Sequence, residues 1–232
     1  KNPWRNYNDA LVAGTHRNPL EVCIMIVVDI ETSGLFPEKH GIWQIGALDF
    51  YNPQNTFLQE GRIDKSDRIL NNPGDKKTVY EITGLKDEDF RDKKKQSQKK
   101  LLKNFFDWAE SVKIKNCICQ NPQFDLGFIN KKANEYGLKI PFHHRAFDLH
   151  SFAIFKYHQL HGKFLIKEDH SDMSLAIILE FCGMQDNRKA HNALEDAKLT
   201  AECFSRLVYG KSLINEYSQY KIPEYLANKW LL

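Results

Sequence analysis

Val22-Cys23-Ile24-Met25-Ile26-Val27-Val28 is the longest apolar run in the chain, rich in β-branched residues, and it ends on Asp29-Ile30-Glu31. A run of this kind reads as a strand buried on both faces, which requires a sheet with layers on either side of it. Its abrupt end puts two carboxylates at the carboxyl edge of a core strand. Residues two apart on a strand point the same way, roughly 7 Å from each other. Two carboxylates so placed would repel and would be expensive to desolvate, a cost that a bound divalent cation relieves.

The patterns that follow supply the layers. Residues 42–51 and 56–63 read as two more strands, joined through Asn52-Pro53-Gln54-Asn55 as a hairpin-type connection, so that three consecutive strands form an antiparallel meander. From residue 76 the pattern turns helical, with Ile82, Leu85 and Phe90 apolar, and residues 96–110 form an amphipathic helix. A strand over 113–120 leads into a helix over 124–136, which Gly137 ends. A short strand over 146–149 feeds another helix, and two more follow over 174–182 and 193–208, ended by Gly183 and Gly210. Strands first, then strand and helix in alternation, predict an α/β fold: a mixed sheet, the three-stranded antiparallel meander plus parallel strands, flanked by helices on both faces.

Two later blocks add acidic groups on inward faces. In Asn121-Pro122-Gln123-Phe124-Asp125 the aspartate opens a helix directly after a strand, with apolar Phe128 and Ile129 at i+3 and i+4. An aspartate on that face must be paired or liganded. In His191-Asn192-Ala193-Leu194-Glu195-Asp196 the helical neighbours of Asp196 are small or apolar, as on a helix that approaches a sheet closely. His191 would sit about 140° away from Asp196 on one continuous helix. Both serve one site only if His191 lies on the segment before the helix, and its ordinary pKa suits a general base. Four carboxylates and a histidine fit two-metal hydrolysis of a phosphodiester, and an oxygen-rich ligand set favours Mg²⁺ or Mn²⁺ over zinc.

These residues resemble the D-x-E, N-x-x-x-D and H-x-x-x-x-D motifs of the DnaQ-like (DEDDh) 3′→5′ exonucleases, and the chain is similar to the proofreading type of DNA polymerase III epsilon subunits. Thr32-Ser33-Gly34-Leu35, Trp43-Gln44-Ile45-Gly46-Ala47 and Ile82-Thr83-Gly84-Leu85 extend the likeness over about residues 22–208. The resemblance implies an RNase H-like fold and two divalent cations, Mg²⁺ or Mn²⁺, held by Asp29, Glu31, Asp125 and Asp196, with His191 as catalytic base. It implies a substrate pocket of Thr32, Gly34, Leu35, Phe36, Asn121 and Phe124, and release of nucleoside monophosphates from a single-stranded 3′ end. DNA is the expected substrate; an RNA-trimming enzyme or a non-catalytic end-binding subunit are the alternatives. Gln44, where many members carry glutamate, and Pro122-Gln123 depart from the family pattern.

The rest of the chain sets bounds. A net charge of +3 excludes coating nucleic acid by bulk charge, so any contact is local. No CxxC occurs among Cys23, Cys117, Cys119, Cys182 and Cys203, and most lie in apolar runs, as buried free thiols do. With no 20-residue apolar run, no signal-peptide pattern and a start at Lys1 that suggests trimming, the chain reads as intracellular and cytoplasmic, with no membrane partner. The lysine-rich run 93–100 reads as a solvated loop and helix face. His143, His144, His150, His158 and His161 read as surface histidines rather than zinc ligands, and Asp148 as a helix cap. Three parts are expected: a lead-in over 1–20, the exonuclease domain over 21–209, and an aromatic-rich extension over 210–232. The extension either folds back on the domain or docks a protein partner or a second copy.

Overall fold

The computed structural model describes residues 25–69, 78–112, 116–188 and 191–227. The expected lead-in, residues 22–24 of the first strand, residues 76–77 and 113–115, and Trp230-Leu231-Leu232 lie outside them.

A six-stranded mixed sheet organises the fold, in the order β4-β3-β2-β1-β5-β6. Its strands are β1 (Met25–Thr32), β2 (Ile42–Asp49), β3 (Asn52–Arg62), β4 (Gln96–Ser97), β5 (Asn116–Cys119) and β6 (Ala146–Asp148). β1, β2 and β3 form the antiparallel meander, and β5 runs parallel to β1, with β6 parallel to β5. The apolar run behaves as a doubly buried strand. Ile26, Val28 and Ile30 face one core with α3 (Gln98–Ser111) and α4 (Pro122–Glu135). Met25 and Val27 face the other, with α5 (Leu149–His161), α6 (Leu175–Phe181) and α7 (Ala193–Tyr209). The alternation carries on past Val28, so Asp29 and Glu31 point toward the α7 side. The strand itself continues through both acids to Thr32, and its pairing with β2 slips between Glu31 and Thr32. Two short helices, α1 (Val79–Thr83) and α2 (Asp87–Phe90), stand where residues 76–90 read as helical.

The hairpin corrects one sequence expectation. Asn52-Pro53-Gln54-Asn55 is not the connection; β3 begins at Asn52, and the turn is Phe50-Tyr51, where the Tyr51 N–H donates to Asp49 Oδ1 at 2.9 Å. Pro53 falls between the pairs Asp49–Asn52 and Leu48–Thr56, an irregular stretch in which a missing N–H breaks no ladder bond. The Asn55 side chain accepts from Trp108 Nε1 at 3.1 Å, fixing this stretch to α3.

One glycine sets how closely α7 lies on the sheet. A Cβ at Gly46 of β2 would meet the Ala193 carbonyl carbon and the Leu194 nitrogen at 2.1 Å. Both are backbone atoms, so the clash cannot be relieved by rotating a side chain. Gly46 also pairs with Asp29 in β1. Gly46→Ala is therefore expected to push the start of α7 off the sheet and to destabilise the protein by about 3 kcal/mol or more. Chemical denaturation measures this; a loss below 1 kcal/mol would contradict the close approach.

Beyond Gly210 (φ +62°) the chain folds back on its own domain. Buried Glu202 accepts the N–H groups of Leu213 and Ile214 at 2.8 and 2.9 Å, and Arg206 donates to the carbonyl of Tyr217. Ile214 and Leu226 are core residues, and the Tyr225 ring stacks on Phe181. Ile214 and Leu226 of the extension are thus covered from within, while Tyr225 stays partly exposed.

Candidate active site

The cleft forms where the two helical layers meet at the carboxyl ends of the parallel strands β1 and β5, the edge at which such sheets commonly bind ligands. β1 brings Asp29 and Glu31. β5 ends at Cys119, and Gln120-Asn121 leads into α4, whose Pro122 occupies the first turn, where no N–H is needed. Asp125 follows in that turn, buried, and its Oδ1 accepts the N–H of Ile30 at 3.2 Å, which ties α4 to β1 between the two strand acids.

From the opposite layer comes Asp196, one turn into α7 and buried. The start of this helix is held by side chains that satisfy its exposed N–H groups. Asn192 Oδ1 accepts from Leu194 and Glu195, both at 3.1 Å, and Gln44 Oε1 accepts from Ala193 at 2.8 Å. Gln44, noted as a departure from the family pattern, thus fastens α7 to β2. An amide oxygen serves that purpose as a carboxylate oxygen would. His191 stands just before the Asn192 cap, outside the helix as its spacing required. Its Nδ1 lies 3.9 Å from Glu31 Oε1 and 3.8 Å from Asp196 Oδ2, with the ring half exposed to the cleft.

Of the residues expected to act together, all but Phe36 line this one cleft: Asp29, Glu31, Thr32, Gly34, Leu35, Asn121, Phe124, Asp125, His191 and Asp196. Thr32 Oγ1 donates to the Gly34 carbonyl at 2.7 Å and shapes the loop. Phe36 stands outside the cleft wall. Its ring is exposed, tilted against His40, with Lys39 Nζ 5.3 Å from its centroid. Asp148 caps α5, accepting the His150 N–H at 3.0 Å, and does not line the cleft. Among the described residues Cys117, Cys119, Cys182 and Cys203 are buried free thiols.

Three contributors escaped the sequence reading. Arg188 reaches into the cleft with its side chain 16% exposed. Asp186 clamps its Nε and Nη2 at 2.8 and 2.6 Å, leaving Nη1 to meet Asp196 Oδ1 at 2.9 Å. Asp186-x-Arg188, a charged pair three residues before His191, was the available signal inside a stretch otherwise read as connecting loop. Ile82 of α1 is exposed and faces the cleft with Leu35. His40 is fully buried beneath the loop, its Nδ1 3.0 Å from the Phe36 nitrogen; a Cβ at Gly34 would sit 2.4 Å from its ring. Burial holds the pKa of His40 below the usual histidine range.

Electrostatically the cleft is a crowded anionic site. Desolvation, then the charges of Asp125, Asp196 and Glu31, push Asp29 well above the usual carboxylate range. Desolvation likewise pushes Glu31 and Asp125 up to about 7. His191 is raised by its interaction with Asp196 and by Glu31, against desolvation. Carboxylates that resist ionisation, gathered with a histidine whose ligand atom lies within 4.8 Å of those of Glu31 and Asp196, fit a divalent cation by donor type and by charge. Arg188 is the positive side chain that meets them directly.

Two expectations follow for the metal-free protein. Arg188→Ala strips the carboxylates of their guanidinium and should cost about 1–3 kcal/mol of stability in chelator. Mn²⁺ should restore part of that loss. An unchanged melting temperature in chelator would show that Arg188 does not compensate the cluster. The second concerns pH. Acids whose folded pKa is raised hold their protons more tightly when folded, so the site's contribution is full below about pH 4 and is lost as pH rises to about 7. The raised pKa of His191 adds a loss of the same sign. A divalent cation would bind the ionised form, so the melting-temperature gain from added metal should grow between pH 5 and pH 7.5, by roughly 5 °C or more. A gain independent of pH would count against metal binding by these acids.

The comparisons with known proteins agree with this architecture. Residues 26–204 match the sequence model of the RNase T family, described as exonuclease. The chain is 28% identical to ribonuclease T of Vibrio campbellii over 192 residues, 79% of this chain and 84% of the relative. A stretch of 121 residues is 30% identical to DNA polymerase III subunit epsilon of Buchnera aphidicola subsp. Schizaphis graminum, covering 50% of this chain and 48% of that one. The nuclease domain of 3′hExo, a DEDDh family member solved bound to rAMP, superposes with a TM-score of 0.59 at 19% identity, covering 87% of this chain and 96% of that one. A zinc-bound complex of Escherichia coli exonuclease I with single-stranded DNA gives 0.58 at 16% identity, over 81% of this chain and 40% of that one. Among the described residues no helix is long and apolar enough to cross a membrane.

Proposed function

Because the chain belongs to the exonuclease family whose model spans residues 26–204, a family of divalent-metal-dependent nucleases, we propose that it is a 3′→5′ exonuclease releasing nucleoside monophosphates from single-stranded ends. The single observation carrying this reading is the convergence of Asp29, Glu31, Asp125, Asp196 and His191 on one cleft from β1, α4, α7 and the segment just before α7. The four carboxylates would hold two divalent cations, Mg²⁺ or Mn²⁺, which when bound activate water and stabilise the leaving oxygen. His191 takes the proton of the attacking water. Its Nδ1 is turned toward Asp196 and Glu31, which supports Nε2 as the nitrogen that takes the proton. Leu35, Ile82 and Phe124 offer apolar surface to the terminal nucleotide, with Thr32, Gly34 and Asn121 beside them. Arg188, clamped by Asp186 and 2.9 Å from Asp196, would steady negative charge beside the carboxylates.

RNA is the favoured substrate. Relatives aligned over most of both chains bear the name ribonuclease T, whereas the DNA polymerase III relatives, which support DNA, are matched over 48% and 12% of their own length. The test is direct: 5′-labelled single-stranded RNA, single-stranded DNA and a mismatched duplex are incubated with protein and Mg²⁺ or Mn²⁺, with and without chelator. The expected result is a ladder shortening from the 3′ end, faster on RNA and absent in chelator. Binding of ends without a ladder in any metal would instead make the protein a non-catalytic end-binding subunit.

A further inference from the structure

An enzyme that shortens a strand from its end must also accommodate the nucleotides that precede that end. A groove of about 410 Å³ opens beside the cleft and shares Gln120 and Asn121 with it, so the two adjoin. Its volume lies within the roughly 300–1,000 Å³ that suits a ligand of small-molecule size. Two other surface grooves share no lining residue with the cleft. One lies on the outer face of α4 by Asn130 and His143, and the other lies by Glu195 and by Glu216, which Lys198 pairs at 3.2 Å.

The far wall of the adjoining groove is made by the first turn of α5 and by a two-stranded hairpin, β7 (Ile166–Lys167) and β8 (His170–Ser171). His150 Nε2 lies 2.8 Å from Ser171 Oγ, a bond that ties helix to hairpin and sets the spacing of the wall. His170 is exposed on the rim, and Lys167, its partner in the hairpin register, is exposed with it. Ser174 Oγ caps α6 by accepting from Ile177, so its own proton is free to be donated. The lining therefore offers imidazole and hydroxyl groups with one carboxylate, Asp172, while on the hairpin turn Asp169 Oδ1 lies 3.2 Å from His170 Nδ1. Such a set suits phosphate and sugar oxygens and reads no base. Just before β7 in the chain, the exposed Phe164 ring has its centroid 4.4 Å from that of His158, tilted 32° to it, and offers an aromatic face on which a base can stack.

We propose that the 5′-ward part of a single-stranded substrate leaves the cleft past Asn121 and runs through this groove against the β7–β8 hairpin, which grips it without regard to sequence. The proposal rests on the reading of the cleft as the seat of the 3′-terminal nucleotide. Its test is the length dependence of binding, measured by fluorescence anisotropy on 5′-labelled oligo(U) of two and six nucleotides, with Ca²⁺ replacing the catalytic metals. Affinity should rise roughly tenfold or more from the shorter strand to the longer. In the double variant Lys167→Glu/His170→Glu, both at exposed positions, that gain should vanish. A photoreactive uracil four positions from the 3′ end should crosslink to residues 164–174 in the wild-type protein. Equal affinity for both lengths, a gain that survives the double variant, or a crosslink to α4 or to the Glu195 side overturns the proposal. In those cases a 3′-shortening ladder in Mg²⁺ leaves the cleft reading standing, whereas binding of neither strand together with no ladder overturns both.

Discussion

Asp29→Asn should leave a folded protein whose cleavage rate is lower by about 1,000-fold or more, since a cation lost or displaced removes several kcal/mol of transition-state stabilisation. The substitution keeps the shape of the side chain and removes its charge. Asp29 sits at the centre of the carboxylates, with the charges of Asp125, Asp196 and Glu31 all acting on it. It is paired with Gly46 in a strand buried on both faces, so the backbone has no freedom to compensate. The same variant should be more stable than the wild type in chelator at pH 7.5, by about 1–2 kcal/mol, because one repelling and desolvated charge has gone. Activity loss through misfolding would instead lower stability, so the opposite signs separate the two explanations. Cleavage by Asp29→Asn within tenfold of the wild type would remove Asp29 from the metal ligands.

His191→Ala should lose between about 100-fold and 10,000-fold in rate, the usual contribution of a positioned base. Mn²⁺ binding, followed by calorimetry, should persist, because the four carboxylates remain. The pH profile carries the sharper distinction. Asp196 and Glu31 hold His191 above the usual histidine range, so it keeps its proton to higher pH and the wild-type rate should climb as pH rises through that value. In the variant that climb should be lost, while any dependence arising from metal binding by Glu31 and Asp125, pushed up to about 7, remains. A variant that keeps the wild-type rate at pH 8 would rule out His191 as the base.

Much of the site was legible because its determinants are local. The β-branched run ending at Asp29 specified a core strand, and the two-residue period then fixed Asp29 and Glu31 on one face. The apolar neighbours Phe128 and Ile129 turned Asp125 inward, and the five-residue spacing to Asp196 forced His191 out of the helix. The hairpin failed for an equally physical reason. Asn52-Pro53-Gln54-Asn55 has turn composition, yet its pairing slip against β2 lets a proline lie within a strand without breaking a ladder bond. Arg188 was missed because nothing periodic surrounds it. Its partner Asp196 is eight residues away, and that distance is bridged only after Gln44 and Asn192 have fastened the start of α7. Ile82 belongs to the cleft only through the placement of the short helix α1, which no local pattern states.

By itself, then, the sequence determined which elements form, which faces turn inward, and the five side chains whose chemistry suits a metal-dependent nuclease. Strand alternation, helix periodicity and capping act over a few residues, so one chain read in order contains them. Only the tertiary structure decided that the acids of β1, α4 and α7 meet, that Arg188 joins them while Phe36 does not, and that a second groove adjoins their cleft. Those outcomes rest on contacts between distant segments, above all the bare backbone of Gly46, where the absence of a single Cβ lets α7 lie close enough to bring Asp196 to Asp29.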